Sequence, residues 1–188
     1  DKLVGFDTGP GNALINDWVS SRSKYTYDPD GRIALSGNVS TDKLVQLISH
    51  PFFDAPPPKS LDRDAFKFFI ISVLEGESFE NGAALLTAFT VMTIIKAIEG
   101  LPELPTACIV VGGGRHNKTI MHQLDNKLST KVISGDLIGW TGDAIEAQAF
   151  GFLAVRSKKE LPISFPGTTG VPLPISGGRY NSKPKRQE

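Results

Sequence analysis

The residues with the clearest chemical potential form a glycine-rich turn near the start of the chain, Asp7-Thr8-Gly9-Pro10-Gly11-Asn12. An apolar segment, Leu3 to Phe6, precedes it and an amphipathic segment follows, a pattern that predicts a strand leading through a turn into a helix. Backbone N–H groups at such a turn form an anion site. In a nucleotide-binding interpretation, Thr8 and Asn12 donate hydrogen bonds to phosphate and Asp7 holds Mg²⁺ through water. In a structural interpretation, Asn12 is only the helix N-cap. The turn is not a P-loop, because no Gly-Lys-Ser/Thr follows it.

A second glycine-rich turn, Gly112-Gly113-Gly114-Arg115-His116-Asn117, follows the apolar segment Ala107 to Val111. It lacks the Gly-x-Gly-x-x-Gly spacing of dinucleotide sites. Three glycines after a buried strand favour a flat ligand close to the backbone, such as adenine or ribose. The alternative is a plain tight turn, with Asn117 capping the next helix. Two such turns in one chain point to a nucleotide.

Two acidic residues, Asp143 and Glu146, lie three apart at a predicted helix start and therefore on one face. They are either partners of the helix dipole or carboxylates that face a substrate. Other chemistries have little support. His116 and His122 are six apart, on different helical faces, and Cys108 has no partner at zinc-ligand spacing. A Gly-x-Ser-x-Gly nucleophile elbow is also absent.

Strands and helices alternate along the chain, which favours an α/β layer fold. The predicted strands are Leu3 to Phe6, Ala107 to Val111 and Lys131 to Ser134. The predicted helices are Asn12 to Ser21, a helix capped by Ser40 or Thr41 that ends before Pro51, Asp62 to Leu74 (with a strand at Phe68 to Ile71 as the alternative), Asn81 to Glu99, Asn117 to Leu128, and Asp143 to Lys158. The turn residues Asp28 to Gly31 predict a short hairpin or a structured excursion, and the remaining segments predict loops (His50 to Lys59, Pro162 to Gly178) and a frayed polar tail (Asn181 to Glu188). The nearly all-apolar helix from Asn81 is expected at the centre of the core.

The composition is that of an ordinary soluble domain. Among 188 residues, 20 basic side chains balance 20 acidic ones, so nothing predicts attraction to nucleic acid or to a membrane. The single cysteine cannot form an internal disulfide, and neither a signal peptide nor a membrane span is predicted. Because the chain opens on Asp1 rather than Met and its first predicted strand already begins at Leu3, it is expected to be part of a longer polypeptide.

Together these motifs resemble the bacterial anhydro-N-acetylmuramic acid kinases, members of the sugar kinase, Hsp70 and actin superfamily. The resemblance covers roughly residues 3–154 in family order. It rests on Gly5 to Asn12, Tyr27-Asp28 with Gly31, Pro51-Phe52-Phe53, Pro57 to Ser60, Arg63 to Phe66, the Leu85-to-Thr93 helix, Val111 to Gly114 with His116-Asn117, and Asp143 to Ala147 with Ala149-Phe150. Leu61 stands where the family usually has glycine, and residues 164–178 follow the family's closing pattern poorly.

The resemblance implies an α/β fold, an RNase H-like lobe of the actin and sugar-kinase type with a mixed sheet and flanking helices. Residues 1–162 would be the C-terminal ATP-binding lobe and residues 163–188 a loop and flexible tail. The N-terminal lobe, with the first phosphate loop and the general-base aspartate, would be missing from this chain. The implied cofactors are ATP and Mg²⁺. The implied cofactor-binding residues are Asp7, Thr8, Gly9, Pro10, Gly11, Asn12, Gly112, Gly113, Gly114 and Asn117, with Asp7 also holding Mg²⁺ through water and Glu146 facing the sugar.

The family reaction that the resemblance implies joins two events. Water, activated by the absent aspartate, opens the 1,6-anhydro bridge of anhydro-N-acetylmuramic acid. The freed 6-oxygen then takes the γ-phosphoryl group of Mg-ATP, giving N-acetylmuramic acid 6-phosphate for cell-wall recycling. The chain is expected to be cytoplasmic, inactive by itself, and part of a possible homodimer, without nucleic-acid or membrane partners. The alternatives are a standalone nucleotide-binding or interaction module from a split or decayed gene, and an unrelated α/β enzyme whose glycine turns are purely structural.

Overall fold

The computed structural model describes residues 3–62, 66–179 and 181. Most of the motif Arg63 to Phe66 and of the predicted tail Asn181 to Glu188, with its basic residues Lys183, Lys185 and Arg186, lies outside the described residues. The helices are α1 (Ala13–Ser20), α2 (Arg32–Ser36), α3 (Thr41–Ile48), α4 (Lys67–Leu74), α5 (Phe79–Glu99), α6 (Lys118–Lys127), α7 (Ile145–Lys158) and α8 (Pro166–Thr169). The strands are β1 (Ala107–Val110) and β2 (Lys131–Ser134).

The chain divides into two compact units. The larger comprises Asp7–Ala55 and Ser60–Asp143, and the smaller comprises Asp1–Phe6, Pro56–Lys59 and Ala144–Glu188. Both predicted glycine turns fall in the larger unit. The predicted division of the chain at residue 162 stays a prediction.

Helix α5 is the centre of the larger unit, as its apolar sequence predicts. Ser78 caps it by accepting a hydrogen bond from the backbone N–H of Asn81, and the helix ends at Gly100. It packs against α1, α2, α3 and α6, and its fully buried side chains include Leu85, Leu86, Phe89 and Val91. Burial on all sides explains why the helix lacks a polar face.

The length of α5 corrects one expectation, that no segment is long and apolar enough to span a membrane. Over 21 residues it contains an 18-residue window with a mean hydropathy of 1.5, which satisfies that test. However, 67% of this window is buried inside the fold, as in the core helix of a globular protein. The apolar composition of α5 is therefore explained by its place in the core.

The sheet in the described part of the chain consists of β1 and β2, which are parallel and connected through α6. Ala107 lies opposite Lys131, and Val110 lies opposite Ser134. Both strands were predicted. The larger unit is therefore a mixed α/β structure with a small parallel sheet and flanking helices, while the larger mixed sheet that the family resemblance implies stays a prediction.

The predicted strand at Leu3 to Phe6 is wrong. This segment has no strand assignment, and Leu3 and Val4 are exposed. Gly5 N–H donates a backbone hydrogen bond to the carbonyl oxygen of Gly167 at 3.0 Å. A strand needs a neighbour that pairs along its length, and the described residues provide none for this segment.

The segment after Asp28 is a structured excursion rather than a hairpin. The Asp28 carboxylate is buried and accepts hydrogen bonds from the backbone N–H groups of Ile33 and Ala34, both at 2.9 Å. It thereby satisfies donors at the start of α2, following a 3₁₀ turn at Pro29–Gly31. The predicted loop from His50 likewise contains a 3₁₀ turn, Pro51–Asp54.

Most other helix predictions are confirmed to within a few residues. Ser40 caps α3. Phe68 to Ile71 lie in helix α4 rather than in a strand, and this helix begins at Lys67 rather than at the predicted Asp62. In the smaller unit, α7 begins at Ile145, two residues after its predicted start. The predicted loop Pro162 to Gly178 contains the short helix α8 and a β-bridge between Ser164 and Ile175.

Candidate functional site

The first glycine turn is fixed to the central helix. Thr90 Oγ1, on α5, donates a hydrogen bond to the carbonyl oxygen of Gly11 at 2.8 Å. A Cβ at Gly9 would lie 2.6 Å from Thr93 Oγ1, so only glycine permits this close approach of turn and helix. Thr93 in turn donates to the carbonyl oxygen of Thr90. Two buried threonines of the core therefore set the position of the turn.

Each glycine turn also has one residue that faces open space. Gly11 has a φ of +58° and Gly112 a φ of +70°, and beyond the adjacent residues of the chain no atom lies within 4 Å of the place where either Cβ would stand. Positive φ favours glycine at both positions. Because these two residues have no side chain, a bound group can approach the backbone of both turns at Gly11 and Gly112.

Asn12 brings the two turns together. A Cβ at Gly113 would lie 3.5 Å from Asn12 Nδ2, and a Cβ at Gly114 would lie 3.5 Å from Asn12 Oδ1. Asn12 occupies the N-cap position of α1, but its side chain makes no capping hydrogen bond. Asn12 therefore lies at the N-cap position that the structural interpretation predicts, but it does not make the capping hydrogen bond.

Asn117 behaves in the opposite way. Its side chain is buried, and Oδ1 accepts a hydrogen bond from Ile120 N–H at 3.0 Å, which caps α6. Capping was the alternative interpretation of this residue, and the structure confirms it. Its predicted contact with adenosine would have to come in addition to the cap.

A cavity of about 400 Å³ lies where the two turns meet, entirely within the larger unit. Asn12, Thr90 and glycines of both turns line part of it. Its remaining walls come from β1, α5 and α6, with Ile94, Cys108, Ile109, Val110, Val111, Ile120 and Leu124. An apolar pocket of this size with a few polar groups is typical of a small-molecule site. Burial raises the pKa of the Cys108 thiol above its ordinary value.

Arg115, inside the second turn, was not identified from the sequence. Its side chain is only 4% exposed and binds two carboxylates. Nε donates to Asp136 at 2.7 Å, and Nη1 and Nη2 donate to the two oxygens of Asp143 at 2.6 and 2.8 Å. Nη1 also donates to the carbonyl oxygen of Gly112 at 2.9 Å. Hydrogen bonding to Arg115 holds the pKa of both carboxyls below their usual range and raises the pKa of the guanidinium.

This arrangement corrects the assignment of Asp143 to a helix start. Helix α7 begins at Ile145, and Asp143 belongs to the larger unit, where it pairs with Arg115 and has an oxygen 3.3 Å from His116 Nε2. Asp143 and Glu146 therefore do not share one helical face. No spacing rule links an arginine to aspartates 21 and 28 residues downstream, so the sequence held no signal for this contact beyond an arginine in a glycine turn.

Comparison with known proteins identifies the family. A family model described as anhydro-N-acetylmuramic acid kinase matches residues 1–181. The chain belongs to the anhydro-N-acetylmuramic acid kinase family. Among curated relatives with that name, those of Brucella anthropi and Caulobacter vibrioides are 49% and 50% identical over 178 and 177 residues, or 95% and 94% of this chain. The relative of Rhizobium rhizogenes is 48% identical over 177 residues. The chain spans about half the length of these relatives, 47% in each case.

Asp7 is exposed at the start of the first turn, and its Oδ2 accepts a hydrogen bond from Leu61 N–H at 2.7 Å. Within residues 3–62, 66–179 and 181, no group of three or more His, Cys, Asp or Glu side chains is arranged to hold a metal. A magnesium ion at Asp7 would therefore take its other ligands from water and phosphate, as this ion commonly does.

The remaining predicted residues have simpler surroundings. Thr8 and Pro10 are half-buried, and the carbonyl oxygen of Pro10 accepts from Ala13 N–H at 3.3 Å. Glu146 is exposed in the first turn of α7, in the smaller unit. Its role toward a sugar stays a prediction.

Proposed function

We propose that this chain is the nucleotide-binding half of an ATP-dependent anhydro-N-acetylmuramic acid kinase, built as an RNase H-like lobe. The observation that carries the proposal is the meeting of the two glycine turns at Asn12, above an apolar cavity of about 400 Å³. Family membership supports kinase chemistry and the use of ATP.

The residues fit a nucleotide with its phosphates at the first turn and its adenosine at the second. Gly11 and Gly112 leave the backbone open to a ligand, and the turn from Asp7 to Asn12 supplies N–H donors, the hydroxyl of Thr8 and the amide of Asn12 for phosphate oxygens. The apolar walls of the cavity suit a flat base, close to Gly113 and Gly114. Asp7 would hold Mg²⁺ through water, neutralising phosphate charge.

The complete reaction requires the half of the relatives that this chain does not span. There, a general base would take a proton from the water that opens the 1,6-anhydro bridge, and the 6-oxygen so released would accept the γ-phosphoryl group of ATP. In this half, Glu146 would face the sugar. Alone, the chain is expected to bind nucleotide without turnover. Cytoplasmic location, a role in peptidoglycan recycling and homodimer formation belong to the same proposal.

A charge placed at Gly11 tests the phosphate site. Titration calorimetry would measure Mg-ATP binding to the unmodified chain, to Gly11→Asp and to Gly11→Asn. Asn and Asp both tolerate positive φ and differ mainly in charge, so Gly11→Asn is the matched control. A carboxylate beside a phosphate should weaken binding about tenfold or more relative to Asn, since about 1.4 kcal/mol of repulsion is sufficient. Equal affinities for the two variants, or no Mg-ATP binding by the unmodified chain, would contradict the proposal.

A complementation experiment tests the kinase itself. The chain would be mixed with the separately produced N-terminal half of the Caulobacter vibrioides relative, and N-acetylmuramic acid 6-phosphate would be measured by mass spectrometry after addition of Mg-ATP and 1,6-anhydro-N-acetylmuramic acid. Product formed only in the mixture supports the proposal. Mg-ATP binding without product, under conditions where the whole relative is active, would favour a standalone nucleotide-binding module.

A further inference from the structure

Four of the five N–H groups of the Arg115 guanidinium form hydrogen bonds within the larger unit. Its Nε, Nη1 and Nη2 donate to Asp136, to Asp143 and to the carbonyl oxygen of Gly112 at 2.6–2.9 Å. The pairing with Asp143 is bidentate, the geometry in which arginine and carboxylate bind most specifically. The side chain is 4% exposed. An arginine with these partners has little capacity left for a phosphate.

The loop that carries the two carboxylates closes around this side chain. Asp136 Oδ1 accepts a hydrogen bond from Gly142 N–H at 3.3 Å, and the carbonyl oxygen of Gly142 accepts from Gly112 N–H at 3.1 Å. A Cβ at Gly142 would run into the guanidinium. The second glycine turn is thus bound to residues 136–143 through the Arg115 side chain and through the backbone of Gly112.

The balance of charge supports a role other than phosphate binding. One guanidinium faces two carboxylates, and His116 Nε2 lies 3.3 Å from an Asp143 oxygen. With His116 neutral, the cluster carries more negative than positive formal charge. Such a cluster does not attract a nucleotide phosphate electrostatically. What the cluster does fix is the conformation of Gly112, whose φ of +70° leaves its backbone open to the cavity.

We propose that Arg115 is a positioning residue for the nucleotide. It holds the Gly112–Asn117 turn in its binding conformation by linking Gly112 to Asp136 and Asp143, and it makes no contact with phosphate. The proposal rests on the proposed nucleotide site. Pre-organisation of this kind increases affinity because the turn need not be ordered when the ligand binds.

Three variants test the inference: Arg115→Lys, Asp143→Asn and the double variant, with Mg-ATP affinity measured by titration calorimetry. Lysine keeps the charge but loses the planar fork. Each single change should weaken binding about tenfold, and the double change should add little more, because each removes the same charge-assisted interaction. Arg32→Lys is the matched control, since Arg32 forms an exposed pair with Asp30 at 3.1 Å and its replacement should leave affinity unchanged.

The Asp143→Asn variant decides between positioning and direct binding by the sign of its effect. If Arg115 bound phosphate, neutralising Asp143 would free the guanidinium and tighten Mg-ATP binding. Tighter or unchanged binding by Asp143→Asn, or unchanged binding by Arg115→Lys, would overturn the inference.

Amide hydrogen exchange separates this inference from the proposed function. Without nucleotide, the Gly112 amide, which donates to Gly142, should exchange faster in Arg115→Lys than in the unmodified chain, while amides of α5 keep their rates. If the unmodified chain does not bind Mg-ATP, the proposed function fails and the role in nucleotide binding with it. If it binds and the Gly112 exchange rate does not change, the positioning role fails alone.

Discussion

Thr90 Oγ1, on the buried central helix, donates a hydrogen bond to the carbonyl oxygen of Gly11 at 2.8 Å. This bond joins the core of the larger unit to the turn that carries most of the proposed phosphate-binding residues. A neighbouring threonine one turn earlier, Thr87, is also fully buried, yet its hydroxyl has no hydrogen-bond partner within the part of the chain that the structure describes. The two threonines therefore offer a matched comparison.

We predict opposite effects on stability for Thr90→Val and Thr87→Val. Valine has nearly the shape of threonine and lacks the hydroxyl. Thr90→Val should lower the free energy of unfolding by about 1 kcal/mol through loss of the bond to Gly11, whereas Thr87→Val should raise it by a similar amount because an unsatisfied buried hydroxyl is removed. Urea denaturation would measure both. Equal losses in the two variants would show that the Gly11 bond contributes nothing specific.

Gly9→Ala is expected to destabilise the chain by steric crowding, about 1–3 kcal/mol, because the new Cβ would lie 2.6 Å from Thr93 Oγ1. The double variant Gly9→Ala/Thr93→Ala removes the colliding atom and should recover part of the loss. Gly112→Ala has no neighbour within 4 Å, so its cost comes from positive φ and Thr93→Ala should not relieve it. Thermal denaturation of the set would measure these effects. If Thr93→Ala changed the stability of Gly9→Ala and of Gly112→Ala equally, steric crowding at Gly9 would not be the cause.

Cys108, the single cysteine, should react slowly with iodoacetamide at neutral pH. It lies on β1 in the wall of the cavity, and burial raises the pKa of its thiol. The folded state favours the protonated thiol, so reactivity should rise only above the pH range in which an ordinary cysteine ionises. For the same reason, the free energy of unfolding should fall as the pH rises through that range. Mass spectrometry would follow alkylation, with the urea-unfolded chain as the control. Mg-ATP should slow the reaction. An unchanged rate under conditions of saturating binding would place the nucleotide outside this cavity.

The Arg115–Asp143 pair should stabilise the fold over a defined pH range. The hydrogen bonds from Arg115 lower the pKa of Asp143 below the ordinary value for an aspartate. The stabilisation is therefore present above about pH 4 and is lost as the pH falls toward the lower value in the folded state. The difference in free energy of unfolding between the unmodified chain and Asp143→Asn should shrink as the pH falls below about 4. Denaturant titrations at several pH values would measure it, and a difference that grows on acidification would contradict the pairing.

The sequence by itself determined the local elements and the family. Helical spacing of apolar residues located α5, capping residues such as Ser40 marked helix starts, and short apolar runs located β1 and β2, because these signals act between near neighbours. The glycine turns, with their flanking residues in order, pointed to the anhydro-N-acetylmuramic acid kinases, which the comparisons confirmed. The segment Leu3 to Phe6 shows the limit of such signals, since an apolar run becomes a strand only when another strand pairs with it.

Tertiary structure alone decided which distant residues meet. The bond between Thr90 and Gly11 spans 79 positions, and the pairing of Arg115 with Asp143 spans 28. No local periodicity records such distances, because they follow from how helices and turns pack around α5. The same packing placed Asn12 beside Gly113 and Gly114. It thereby turned two glycine motifs, separately ambiguous in the sequence, into the walls of one cavity.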